Sequence, residues 1–431
     1  MGVRKPKPVP LLVRSNSIIN SKIHYLLTLD NLRPSAEARG KGKRLTSLGL
    51  TAKGAAPTDL PLSCSESTFA FFGPVVWLAQ VMEQKYRPQL DGIRAFCIIF
   101  TILNHIPGKP AFINGTVGVD VFFPLSGWLI TWLLLEEHKK TGAVHLKSFY
   151  VRRFFRIVPL YYFTIALYLF AAISVFFSSG HTSKLDELRA ASVYLLSFNS
   201  EYRPDEAGVV FGHAWTLGIE EKFYLLWPLL IFLFNRSNVI VAVSAIALLT
   251  LLFVLFGIDN YLIRGYFGLG TGAGLALCIN RNGRAISFFQ TVSLGGISLV
   301  TMLIMYTGLI ASPHVLWHLG LAASGALLIV SVWFCDTQWV ARFLATPVLA
   351  WLGTLTYAIY LLQTLAINVG QALLTKFHVP NHFLMLFIAS YGISILAAWA
   401  LHIAVEQPAI NFGRKLARRQ TACASATQRA A

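Results

Sequence analysis

From about residue 92 onward the chain alternates between apolar runs of roughly twenty residues and short connections that are polar and often basic. A helix rising 1.5 Å per residue needs about 20 such residues to cross a hydrocarbon core of about 30 Å. Strands of a membrane barrel would instead alternate apolar and polar positions. The pattern therefore predicts an all-α membrane protein of about ten transmembrane helices. They are expected near residues 93–107, 117–135, 157–177, 213–234, 238–257, 262–280, 286–309, 313–334, 346–374 and 383–405.

The basic residues orient these runs. Lys139, Lys140, Lys147, Arg152, Arg153 and Arg156 follow the second run, Arg236 the fourth, Arg281 and Arg284 the sixth, Arg342 the eighth, and Arg414, Lys415, Arg418 and Arg419 the last. Lysine and arginine collect on the cytoplasmic side. All of these residues fall there if both termini are cytoplasmic. The longest connection on the opposite side, about 178–212, balances Lys184, Arg189 and Arg203 against five acidic residues. Residues 1–85 differ from the rest: they carry 12 Lys/Arg against 5 Asp/Glu, punctuated by Pro, Gly and Ser. This segment reads as a disordered extension, with Met82 as a candidate start of translation. Residues 86–415 form the membrane domain, and 416–431 a basic cytoplasmic tail.

Composition agrees with this reading. Of the 431 residues 55% are apolar and 13% charged, against about 25% charged in soluble domains. The net charge of +17 sits in loops and tails, a topogenic pattern that argues against nucleic-acid binding. Five scattered cysteines make neither a disulfide framework nor a metal site, so no metal is expected.

Against this apolar background, charged and titratable residues become candidates for chemistry. Arg94 and His105 are eleven residues apart on the first run, which puts them on one face of a helix about 16 Å apart. Histidine suits proton transfer near neutrality, although a packing histidine has the same spacing. Asp120, at the start of the second run, is placed to orient that imidazole or to cap its own helix. On the fourth run His213, Glu220 and Tyr224 share a face, and Glu221 points elsewhere; two adjacent carboxylates in an apolar segment require partners. Arg153 and Arg156 can present two guanidinium forks to phosphate, or anchor a cytoplasmic helix end. Gly268, Gly270, Gly272 and Gly274 lie inside an apolar run, which indicates close helix packing rather than a dinucleotide loop.

Five segments in order resemble the acyltransferase family 3 membrane proteins over about 86–415. They are Tyr86 to Ala95 with His105, Gly118 to Gly127, Arg152-Arg153 with Arg156, Trp215 to Pro228, and Glu406-Gln407-Pro408. The resemblance implies a ten-helix enzyme of the bacterial inner membrane. It would move an acyl group, most often acetyl, from cytoplasmic acyl-CoA to a hydroxyl of an outer acceptor such as a sugar. It also implies His105, Asp120, Glu220 and Glu221 as catalytic candidates, and Arg94, Arg153 and Arg156 as donor-binding ones. Two positions depart from the family pattern: Pro124 stands where an aliphatic residue is usual, and Gln363 where many members carry histidine. Intramembrane His, Asp and Glu also occur in proton-coupled transporters. A non-catalytic membrane sensor is the third reading.

Overall fold

The computed structural model describes residues 86–110, 113–204, 210–233, 260–281, 314–335, 338–380 and 382–430, with scattered positions between 243 and 301. The basic segment 1–85, and most of the helices expected near 238–257 and 286–309, lie outside the described residues.

All regular structure among the described residues is helical. The helices are α1 (Pro88–His105), α2 (Thr116–Thr141), α3 (Leu146–Ser179), α4 (Ser183–Leu196), α5 (Trp215–Leu233), α6 (Asn260–Arg281), α7 (His314–Phe334), α8 (Trp339–Leu344), α9 (Pro347–Lys376), α10 (Phe383–Leu401) and α11 (Gln407–Ala430). By length and composition six stretches among the described residues can cross a membrane: α2, α3, Tyr261–Asn280 of α6, Trp317–Phe334 of α7, α9, and the continuous Phe383–Arg419. Charge explains why α1 and α5 fall short of that composition. Asp91 and Arg94 interrupt α1, and Glu220, Glu221 and Lys222 interrupt α5. These two helices carry much of the candidate chemistry.

The bundle is held by very close helix crossings. A Cβ on Gly127 of α2 would land on the Leu269 carbonyl of α6, and one on Gly272 of α6 would land on the Pro124 carbonyl of α2. The glycines of α6 therefore do serve packing, as their place in an apolar run indicates. α2 runs unbroken through Pro124, whose missing N–H leaves the Asp120 carbonyl without its usual helical donor. Farther along α2, at its contact with α7, Trp128 stacks on Trp132 at 5.3 Å and meets Trp333 of α7 edge-on at 5.7 Å. Such pairs add about 0.5–1.5 kcal/mol each beyond area burial.

Three features differ from the sequence expectation. α3 begins at Leu146, so Arg152, Arg153 and Arg156 are helical rather than part of a loop. The connection after α3 is not simply an outer loop. α4 turns back along α3 until the Tyr161 and Tyr162 hydroxyls donate to the Leu195 and Leu196 carbonyls, each at 2.8 Å. That contact lies roughly 27 Å back from Ser179 along the helix. The exposed residues of α4 change accordingly from Lys184 and Arg189 at its start to Val193 and Leu196 at its end. This is the gradient of a segment dipping into an apolar layer, which is permitted at depth where protein covers the backbone. Third, the final basic segment is helical. A π-helical turn, His402–Glu406, links α10 to α11, which packs on α3 through Phe155 and Phe412 (5.0 Å) and a Ser148 hydroxyl donating to the Ala417 carbonyl (3.3 Å).

Candidate functional site

His105 is the last residue of α1 and is exposed. Its Nδ1 lies 2.7 Å from the Thr101 carbonyl. A carbonyl only accepts, so Nδ1 carries the ring proton and Nε2 presents the lone pair. Edge-on to this ring, with centroids 6.4 Å apart, is His213. The sequence grouped His213 with Glu220 and Tyr224 on one helical face. His213 instead sits in the 3-10 turn Gly212–Ala214 that precedes α5, where the tighter winding changes the phase. The Tyr360 hydroxyl donates to its carbonyl, and Thr364 Oγ1 is 3.3 Å from its Nδ1.

Asp120 does not orient His105. Its Oδ1 accepts from Arg264 Nε of α6 at 2.9 Å, and its Oδ2 lies 2.6 Å from His318 Nδ1 of α7. The carboxylate is buried with both oxygens engaged by α6 and α7, and it makes no hydrogen bond to the His105 ring. The cluster ties the starts of α2, α6 and α7 together at one end of the bundle. No local pattern could reveal it, because Arg264 and His318 are 144 and 198 residues away from Asp120.

None of the contacts of Glu220 and Glu221 among the described residues involves His105. Glu220 accepts from Ser126 of α2 at 3.2 Å and from the Tyr224 hydroxyl at 3.0 Å. Arg153 of α3 answers both carboxylates, 3.9 Å from Glu220 and 3.8 Å from Glu221, with its guanidinium 3.5 Å from the centre of the Tyr224 ring. The demand of two adjacent carboxylates for partners is met by Arg153. Lys222, the next residue on α5, pairs instead with Glu201 at the tip of the re-entrant segment and donates to the Phe198 carbonyl (2.9 Å).

Arg94 pairs with Asp91 one turn earlier on α1. Arg156 is exposed and, among the described residues, has no ion-pair partner within 4 Å; Arg94, Arg153, Tyr224 and Glu406 act on it electrostatically. The guanidinium groups of Arg94, Arg153 and Arg156 thus form one positive region between α1 and α3. Glu406 is set there by the π-helical turn, in which His402 Nδ1 contacts its carboxylate at 2.8 Å. Gln363 is fully buried in α9, and neither polar atom of its amide is hydrogen-bonded among the described residues.

Sequence reasoning missed Arg264, His318, Thr364, Glu201 and the placement of His213. Only their residue types in apolar runs offered a signal, and that signal does not identify partners.

Residues 87–403 match the family described as "Acyltransferase domain". Among curated proteins, a peptidoglycan O-acetyltransferase, OatA, of Listeria monocytogenes is 29% identical over 65% of this chain and 49% of its own length. The O-acetyltransferase OatA of Staphylococcus aureus is 34% identical over 45% of this chain and 34% of its own. A protein of another Staphylococcus aureus strain, named "Putative O-acetyltransferase", is 24% identical over 76% of this chain and 58% of its own. The chain thus spans about half the length of the curated relatives it matches. No solved structure matches it.

Proposed function

The chain belongs to the acyltransferase domain family, and from that premise we propose that it is an integral membrane O-acyltransferase acting on carbohydrate. In this reading an acyl group, most simply acetyl, passes from acyl-CoA at the cytoplasmic face to a hydroxyl of a glycan on the outer side of the bacterial inner membrane. The full ten-span topology, with both termini cytoplasmic, is part of the proposal. One observation carries it: α1 holds an exposed imidazole whose Nε2 makes no hydrogen bond among the described residues at one end and contributes Arg94 to a three-arginine region toward the other. Catalyst and phosphate site would thus share one helix, separated by about 16 Å, a span within reach of an extended pantetheine arm.

Arg156 is the principal donor anchor in this mechanism, because Arg153 and Arg94 already have carboxylate partners. Charge-assisted hydrogen bonds from guanidinium to phosphate hold the nucleotide end. The acceptor hydroxyl gives its proton to His105 Nε2 as its oxygen attacks the thioester carbonyl carbon. Collapse breaks the C–S bond, and the departing thiolate recovers the proton from His105. Thr101 keeps the ring in the tautomer that this requires. Glu220 and Glu221 position Arg153, and Asp120 fixes the three-helix end on which the acceptor approaches. The relatives named as peptidoglycan and general O-acetyltransferases support a glycan acceptor. The test is labelled acetyl-CoA supplied to the protein in liposomes with glycan fragments on either side. The proposal requires labelled ester on the glycan from donor on the Arg156 side only. Vesicle uptake of a solute without ester formation would favour a transporter.

A further inference from the structure

Beyond His105, the imidazole of His213 is the group whose chemistry is least explained by packing. It is 7% exposed, and its Nε2 is buried with no hydrogen-bond partner among the described residues. A buried polar atom left this way typically costs about 1–3 kcal/mol, so its persistence calls for a reason. The surroundings fix the ring rather than relieve it. Phe211, two residues earlier, adopts φ 56°, which is uncommon for a bulky non-glycine residue, and is fully buried against Tyr161, Tyr168 and His213 itself. From α9, Tyr360 holds the His213 carbonyl and in turn contacts Thr216 Oγ1 at 2.5 Å, while Thr364 Oγ1 faces Nδ1. The charged or titratable groups facing the ring are His105 from α1, Arg203 from the re-entrant segment and Tyr360 from α9, and the backbone carbonyls of Tyr360 and Leu361 face it as well.

We infer that His213 donates an Nε2–H hydrogen bond to the acyl carbonyl oxygen as negative charge develops on it, completing the site whose base is His105. This rests on the acyltransferase reading. In the arrangement required, Thr364 donates to Nδ1, so the ring of a neutral His213 carries its proton on Nε2. The electron pair of the C=O bond moves onto oxygen as the O–C bond forms, and returns as the C–S bond breaks. His213 neither gains nor loses a proton. An oxyanion donor and a general base serve one reacting carbonyl when each lies about 3 Å from its own end of the O–C–O array. That requires two rings several ångströms apart but not bonded to each other, as the 6.4 Å centroid separation provides. A donor that makes no hydrogen bond among the described residues can be given wholly to the oxyanion once the acyl group has entered beside it.

The test compares His213→Leu, His213→Gln, Thr364→Val and Thr364→Ser in the full chain, reading acetyl transfer per folded molecule against pH and against acetyl-CoA concentration. Loss of one oxyanion donor lowers kcat by roughly 10²–10³-fold. His213→Leu is expected to show that loss with KM for acetyl-CoA and the pH profile unchanged. His213→Gln, whose amide N–H reaches a similar place, recovers at least tenfold of it, about 1.4 kcal/mol. Thr364→Val loses rate in the same direction as His213→Leu, and Thr364→Ser, which keeps the hydroxyl, recovers at least tenfold of that loss. Wild-type kcat in folded His213→Leu, an altered pH limb, or no advantage of Gln over Leu each overturns the inference while leaving the acyltransferase reading intact. A wild-type protein that transfers nothing overturns both. Protein yield and thermal stability are recorded for every variant, since a purely structural role lowers those and spares kcat.

Discussion

Replacing Arg153 by Ala separates what the sequence suggested for this residue from what the structure assigns it. Read alone, Arg153 is a phosphate ligand whose loss raises the KM for donor. In the bundle it is the shared counter-ion of Glu220 and Glu221 at 3.9 and 3.8 Å, lying over Tyr224. At an effective dielectric of about 20, each of these ion pairs corresponds to about 4 kcal/mol before desolvation is subtracted. Removing one partner leaves the other charge uncompensated, and for buried pairs the net loss is typically about 3–5 kcal/mol. That is a large part of the 5–15 kcal/mol that usually separates folded from unfolded protein. Arg153→Ala should therefore lower thermal stability in detergent and folded yield in membranes. Adding Glu220→Gln and Glu221→Gln to Arg153→Ala should restore much of the stability, because no unpaired charge then remains. The assay is the melting transition of monodisperse protein by size-exclusion fluorescence after heating. Full stability of Arg153→Ala, or no recovery in the triple variant, would refute the counter-ion account.

Arg156→Ala, by contrast, should leave stability near wild type and raise the KM for acetyl-CoA by about 10- to 150-fold, the equivalent of ~1.5–3 kcal/mol in charge-assisted contacts; steady-state kinetics in liposomes measures this. Asp120→Asn should cost about 3–5 kcal/mol of stability through the stranded Arg264 and leave the pH profile of any remaining activity unchanged, which a melt and a pH series check together. Cysteine at exposed Ser183 should react with an impermeant maleimide from outside and cysteine at exposed Ala143 only after permeabilisation; the reverse pattern would invert the proposed donor and acceptor sides.

What the sequence could convey follows from the range of each interaction. Lipid as solvent fixes helix length, so α2, α6, α7 and α9 lie close to the apolar runs that foretold them. The glycines of α6 were legible because their spacing alone implies a close crossing. α3 starts earlier than its apolar run since Arg152, Arg153 and Arg156 find carboxylates or open polar space and need not mark a helix end. The turning back of α4 was illegible because its polar start masks an apolar end, and because Tyr161 and Tyr162, which receive it, look like ordinary membrane aromatics. At the site, residue types were legible and partnerships were not. Asp120 was paired with the wrong histidine because residues entering a helix at similar depth need not face the same neighbour, and His213 was misplaced by one 3-10 turn.

The central claim is that His105 Nε2 acts as the base. The most direct measurement is acetyl transfer per folded molecule at saturating acetyl-CoA for His105→Gln, with donor binding followed separately. Gln can keep a hydrogen bond to the Thr101 carbonyl but cannot accept a hydroxyl proton. The account predicts unchanged acetyl-CoA binding and a rate lowered by about 10²- to 10⁴-fold. A His105→Gln protein that binds donor and transfers acetyl at close to the wild-type rate would contradict it.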